Sequence, residues 1–172
     1  MTAKVTAKRD PFVNPFPADD PDRRAIWEML VPRDIDAWAS ANWGMVAGDF
    51  TAGNFTGISG NHQPDPQGYT FAFPTIGAYR DSWLADAKCY LADKAAGKFA
   101  GDPRPHIYAA TRLEEIEITG DAALVRKKFD GHLPKADGSS DRMNWQTLYI
   151  CRRENGQWKI AGFVGYLPYI KE

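Results

Sequence analysis

The chain has 172 residues, 44% hydrophobic and 25% charged, with 21 Lys plus Arg against 22 Asp plus Glu for a formal net charge of −1. That is chain enough for one domain with a tail and a real core, and a near-neutral balance without a basic run leaves no electrostatic footprint for nucleic acid or an anionic membrane. No apolar stretch approaches the roughly 18 residues of a membrane helix, and the two cysteines, Cys89 and Cys151, make no disulfide framework and read as buried, reduced small hydrophobes.

Residues Met1 to Asp19 hold Pro11, Pro15 and Pro17 and no periodic pattern. They read as an extended tail, 1–19, ahead of one domain over 20–172. The positive charges near the start precede no continuous apolar run, so no secretory signal is read and the expected compartment is the cytoplasm. Phe12, Val13 and Phe16 are the side chains that would tie the tail to the body or to a second subunit.

Asp20 followed by Pro21 is a helix start, a capping carboxylate with proline at the first helical position. Ile26, Met29 and Leu30 share its apolar face. Pro32 interrupts the pattern and is expected to start a second helix. Ile35, Trp38, Ala39, Trp43 and Val46 then follow a helical stripe that Gly48 stops. Phe55 to His62 and Tyr69 to Phe73 are short strands around a Pro/Asp/Gly loop. Thr75 caps a third helix with the stripe Ile76, Tyr79, Trp83, Ala87, Tyr90 and Leu91, running out near Gly97.

From Pro105 onward the pattern is sheet. Ile107, Ala109, Thr111 and Leu113 alternate on odd numbers, then Ile116 and Ile118 on even ones. A parity change inside one strand is the mark of a β-bulge, expected near Glu114 and Glu115. A tight turn at Thr119 to Ala122 leads to Ala123, Val125, Lys127, Phe129, Gly131 and Leu133 at period two. A loop over Pro134 to Ser140 precedes a strand over Asn144 to Arg153. Asn155-Gly156 is a hairpin turn, and Trp158 to Leu167 closes the sheet.

A regular ladder from that turn pairs Cys151 with Ile160, Tyr149 with Gly162, Thr147 with Val164 and Trp145 with Tyr166. Trp145, Tyr149, Cys151, Trp158 and Ile160 then face inward. The opposite face carries Arg152 and Lys159 together with Leu148, Ile150, Ala161 and Phe163. It is too apolar for water alone, so a homodimer through Leu148, Ile150 and Phe163 is expected, with the tail as the rival cover.

The final hairpin, WQTLYICRRENGQWKIAGFVGYLP, resembles the closing hairpin of NTF2-like (SnoaL-like, cystatin-like cone) proteins. The preceding helix pair, ending near Gly48-Asp49, fits the same plan over roughly residues 20–168. The resemblance implies an α+β cone, with N-terminal helices packed in a curved, bulged antiparallel sheet around a conical apolar pocket. That superfamily includes dehydratases, isomerases, polyketide cyclases, epoxide hydrolases, dioxygenase small subunits and pure binding modules, so the fold does not choose the chemistry.

The residues narrow it. His62, His106 and His132 sit at no metal-binding spacing, and no HExxH or Cys/His cluster exists, so no metal is expected. GxSxG, GxGxxG and the P-loop pattern are absent, so neither a serine nucleophile nor a nucleotide cofactor is expected. Acid–base chemistry remains. Its candidates are Asp49 at the end of the second helix, His62 after the first strand, Tyr79 on the inward stripe, and His132 two residues from Asp130. Each also has a plain reading: a turn carboxylate, a loop histidine, a core tyrosine, a solvated strand face. Lys127 is alone on an apolar strand face and either reaches to the rim, the favoured reading, or serves a site. Trp43, Trp145, Tyr149 and Tyr166 are expected to line a pocket for a small ring-containing molecule. The choice is between a cofactor-free lyase, isomerase or cyclase and a non-catalytic binding or dimerising module, with a dioxygenase small subunit as a further alternative. A cavity closed by Trp43 and Trp145 would favour the module.

Overall fold

The computed structural model describes residues 9–170; the first eight residues of the expected tail lie outside them. Helix α1 (Pro21–Glu28) begins where the capping signal puts it, with the Asp20 carboxylate accepting the Arg23 N–H at 3.1 Å. Pro32 does not start a new helix. The chain runs on through a wide π-turn, Met29–Arg33, directly into α2 (Asp34–Ala39). Proline has no N–H and its ring crowds the preceding turn; a wider turn relieves both without breaking the rod. It also shifts the helical phase of every later residue, Asp34 included, by one position, about 100°.

The second helix is also shorter than its stripe. It stops at Ala39; Ala41 takes a left-handed φ of 49°, and Trp43–Met45 and Ala47–Asp49 are separate 3-10 turns. The apolar positions still point inward. Val46 is buried with Ala37, Trp83 and Ala87, and Trp43 packs against that cluster. The pattern reported which side chains are buried, not that one helix carries them.

Strands β1 (Thr56–Ser59) and β2 (Thr70–Phe73) pair antiparallel. Helix α3 (Ile76–Ala95) follows its cap, the Thr75 hydroxyl accepting the Ala78 N–H at 3.1 Å, and buries Trp83, Ala87 and Tyr90. Cys89, expected inside, lies off that stripe and is exposed, while Cys151 is buried.

The segment after Pro105 is not strand at first. It is helix α4 (Arg104–Ala110), with Pro103 at its cap and Pro105 in its first turn. Arg104 grips Asp36 of α2 in a fork, at 2.8 and 3.0 Å, and the Tyr108 hydroxyl donates to the same carboxylate at 2.9 Å. The odd-numbered alternation of Ile107 and Ala109 is thus an accident of one helical turn, whose buried residues are Ile107, Tyr108 and Ala110. Helix α4 lies tight on the sheet: a Cβ on Gly131 would fall 2.6 Å from the Ala110 Cβ.

Strands β3 (Thr111–Thr119), β4 (Ala122–Pro134), β5 (Ser140–Glu154) and β6 (Gln157–Leu167) form the expected antiparallel run. The sheet as a whole is mixed, in the order β2-β1-β6-β5-β4-β3, because β1 joins β6 in parallel. The bulge expected near Glu114 is present: the β3–β4 register shifts between Arg112 and Glu115.

Two more bulges overturn the regular hairpin ladder. Cys151 pairs with Ile160 as expected, but Ile150 then pairs with Gly162 and Tyr149 with Phe163, leaving Ala161 as an extra residue. Phe163 therefore turns inward and is 3% exposed, where a regular ladder puts it on the outer face. A second irregularity lies between the Leu148–Val164 and Gln146–Leu167 pairs, where Tyr166 adopts a left-handed φ of 54°. The β1 end locks onto this kink, with Gly60 N–H on Gly165 O at 2.7 Å and His62 N–H on Tyr166 O at 2.8 Å. Trp158, Ile160 and Cys151 are buried on the inner face as expected.

Residues ahead of α1 are docked beside the helices. Arg9 donates to Thr111 O at 2.6 Å, Phe12 stacks on Tyr108 at 4.6 Å, and Phe16 packs against the core. Among the described residues no helix is long and apolar enough to cross a membrane.

Candidate functional site

Between the helices and the inner sheet face lies an open cavity of about 400 Å³, within the range of small-molecule sites. The π-turn hands α2 to it with Asp34, Ile35 and Trp38 on the wall. Helix α3 contributes Tyr79, Trp83 and Asp86, at i, i+4 and i+7 on one helical face. The odd-numbered inward side chains of β4 and β5 add Lys127, Phe129, Met143, Trp145, Thr147 and Tyr149. The two kinks in β6 deliver Phe163 and Tyr166.

Of the eight site residues picked from sequence, the cavity wall carries four: Tyr79, Trp145, Tyr149 and Tyr166. The other four lie elsewhere. Trp43 stacks on Phe50 at 5.1 Å and meets Trp83 edge-on at 5.3 Å, as part of the core behind the wall. Asp49 is buried against the Arg33 guanidinium, away from the cavity; burial raises its carboxyl, opposed by Arg33 and Lys159, and its Oδ2 has no hydrogen-bond partner among the described residues. His62 is exposed in a left-handed turn and flanks the wall aromatics from outside, 6.1 Å from Trp145 and 5.7 Å from Tyr166. His132 lies at an even position on the outer face, its Nδ1 3.2 Å from Ser140 Oγ, and Asp130 pairs with Arg142 at 2.9 Å instead of orienting the imidazole.

The group that sequence reasoning missed is Asp34. Nothing around it in the chain marks it out, because the partner that gives it meaning lies on β4. Lys127 does not reach to the rim: its side chain is 1% exposed, and its ammonium donates to Asp34 Oδ2 at 2.7 Å, 5.2 Å from the Phe129 ring centre. A lysine fully removed from water is tolerated only with such a partner. The Asp34 side chain keeps 29% exposure, and its Oδ1 accepts no hydrogen bond from the described residues.

Three phenols complete the wall chemistry. Burial first, and then the carboxylate of Asp34 and neighbouring tyrosines, push Tyr79 and Tyr149 well up from the ordinary phenol value. Burial, Asp86 and Asp34 push Tyr166 up to about 12. All three are therefore neutral hydrogen-bond donors at physiological pH, and all three feel the Asp34 carboxylate. The arrangement can accept a proton at Asp34 and donate hydrogen bonds from phenols inside an aromatic shell. Among the described residues, no three His, Cys, Asp or Glu side chains group as metal ligands.

No protein-family model and no curated protein sequence matches the chain. Solved structures do. A candidate dehydratase of the NTF2-like family from Streptomyces avermitilis shares 13% identity, with a TM-score of 0.54 over 89% of this chain and 99% of that one. An NTF2-like protein with a cystatin-like fold from Novosphingobium aromaticivorans shares 13%, with a TM-score of 0.53 over 88% of this chain and 84% of that one. An NTF2-like protein of unknown function from Shewanella baltica shares 15%, at 0.50 over 87% and 96%. At such identities the likeness speaks for backbone architecture only, and on that ground, with the α+β order and the bulged sheet wrapped over its helices, this chain has the NTF2-like, cystatin-like fold.

Proposed function

We propose that the cavity binds a small ring-containing molecule and acts on it by acid–base chemistry of its own side chains, as a lyase, isomerase or cyclase does. Asp34 Oδ1 takes the proton from a carbon next to a carbonyl. The electron pair moves onto the carbonyl oxygen, which accepts a hydrogen bond from a wall phenol, Tyr79 or Tyr149. Elimination, double-bond isomerisation and aldol-type cyclisation beside a carbonyl each start from that proton abstraction. The observation that carries the reading is the Asp34–Lys127 ion pair, set in the wall of a largely aromatic cavity. A cavity closed by Trp43 and Trp145 would favour the rival reading, a module with its space filled by side chains. Trp145 lines the open space and Trp43 lies behind the wall, which supports a ligand in the cavity, and hydrogen–deuterium exchange separates catalysis from binding alone.

The test is hydrogen–deuterium exchange at the carbon next to the carbonyl of a bicyclic ketone, 2-tetralone, followed by NMR in D2O. The wild type is expected to accelerate exchange over buffer, and Asp34→Asn to lose about 100-fold of that acceleration. Asparagine keeps an oxygen for the Lys127 ammonium but loses the base and the counter-charge together, so circular dichroism checks that the variant is folded before its rate is read. No wild-type acceleration, or an Asp34→Asn rate equal to wild type, would overturn the reading.

We also propose that two copies pair through the outer sheet face, with Leu124 in the place expected for Phe163. Leu124 and Ile150 face one another across β4 and β5 and are 46% and 45% exposed. Leu148 lies on the same face, and the described part of the tail packs against Thr111 and Tyr108 instead. Sedimentation should give a wild-type dimer and an Ile150→Asp monomer. A wild-type monomer would exclude the pairing.

A further inference from the structure

The charge balance of the cavity carries an inference about the ligand that rests on the binding reading above but goes beyond it. Five charged side chains lie on the wall: Asp34, Asp86, Lys127, Asp141 and Arg142. Four of them have a partner of opposite sign. Asp34 and Lys127 hold each other at 2.7 Å, Asp141 is 2.5 Å from Lys135, and Arg142 is 2.9 Å from Asp130. Asp86 is the exception. It makes no ion pair and no hydrogen bond with any described residue, although it shares the inward face of α3 with Tyr79 and Trp83.

Its place on the wall and its solvent exposure together put Asp86 at the cavity's opening. Partial burial alone raises its carboxyl, with no cation nearby to oppose the rise. An unpaired carboxylate at the mouth of a largely aromatic space is placed to receive a positive group. The other surfaces facing the space favour the same kind of guest. Trp38, Trp83, Trp145 and Tyr79 present aromatic rings, whose negative faces attract cations. The three phenols are neutral and add no competing charge. A carboxylate anion in this space would meet Asp86 without a free cation on the wall to receive it.

We propose that the cavity's ligand is an organic cation, a ring bearing an amine or quaternary ammonium group, with the ring among the wall aromatics and the ammonium on Asp86. Asp86 is then the specificity-determining residue for charge, while Asp34 is left for chemistry on the ring portion.

The test is a titration followed by tryptophan fluorescence, which Trp38, Trp83 and Trp145 report from the wall. The probes are phenyltrimethylammonium and its uncharged isostere, tert-butylbenzene. The Asp86→Asn substitution is at an exposed helical position and conserves shape, and circular dichroism checks that it folds. The cation is expected to lose about tenfold in affinity in Asp86→Asn, while the neutral isostere binds both proteins alike. A cation affinity unchanged by Asp86→Asn, with the isostere still bound, would overturn the charge preference and leave the binding reading standing. Failure of the wild type to bind either probe would overturn both.

Discussion

Asp34→Ala is expected to lower the unfolding free energy by about 3–5 kcal/mol, the cost of stranding a buried charge. The reason lies in the asymmetry of the pair. Lys127 is 1% exposed and Asp34 29%. Removing the carboxylate leaves the buried Lys127 ammonium with no counter-charge. Removing the ammonium, as in Lys127→Met, leaves a carboxylate that solvent already reaches, and puts a side chain of similar length into apolar surroundings. That variant is expected to cost about 1 kcal/mol or less. The double variant Asp34→Ala/Lys127→Met should recover most of what Asp34→Ala loses, because neither charge is then left alone. Urea unfolding of the three proteins measures the order. If Lys127→Met is the more damaging single substitution, the burial of this pair is the reverse of what is described.

Phe163→Ala should be nearly as damaging, at about 3–5 kcal/mol, whereas Ile150→Ala should cost under about 1 kcal/mol. The extra residue at Ala161 separates these two outcomes. It turns Phe163 inward, where it is 3% exposed and lies 4.9 Å from Tyr79, 5.8 Å from Phe73 and 5.9 Å from Phe55 between ring centres. Ile150 stays outside at 45% exposure. In a regular ladder the two side chains would share the outer face and their truncations would cost alike. Thermal denaturation of both variants distinguishes the two registers. Equal costs would mean that the bulge is not there. A charged substitution of Phe163 belongs to stability as well: it places an unpaired charge in the core and does not probe a dimer surface.

Much of the architecture is legible in the residues because it depends on local rules. The Asp20-Pro21 and Thr75 caps, the α3 stripe, the Asn155-Gly156 turn and the parity change in β3 each rest on neighbours within a few positions. So does the inward face of β5, since side-chain alternation is a property of the strand alone. The α+β order follows from these pieces, the NTF2-like plan is implied by the resemblance of the closing hairpin, and the structure bears both out.

Where the reading failed, the deciding contact was remote. Helix α4 forms from an Ile/Ala alternation because Arg104 and Tyr108 find Asp36, far away in the chain. The bulges in β6 arise where β1 arrives in parallel. A Cβ on Gly162 would lie 2.5 Å from Thr56 O, so only glycine admits that strand, and the β1 end holds the Tyr166 kink in place. Local pattern does not contain the approach of a second strand.

The candidate site divides the same way. Tyr79, Trp145, Tyr149 and Tyr166 could be named in advance because inward-facing aromatics announce themselves by period. The chain also states by itself that Lys127 sits among apolar neighbours, so it marked one half of the ion pair. It could not say that the other half is Asp34. That carboxylate is aimed at the wall by a π-turn around Pro32, and it meets an ammonium 93 positions along the chain. Pairing of charges across such a separation, like the lack of a partner for Asp86 among the described residues, is a property of packed surfaces. It exists only once the helices have closed over the sheet, because only then is water withdrawn and the count of partners made.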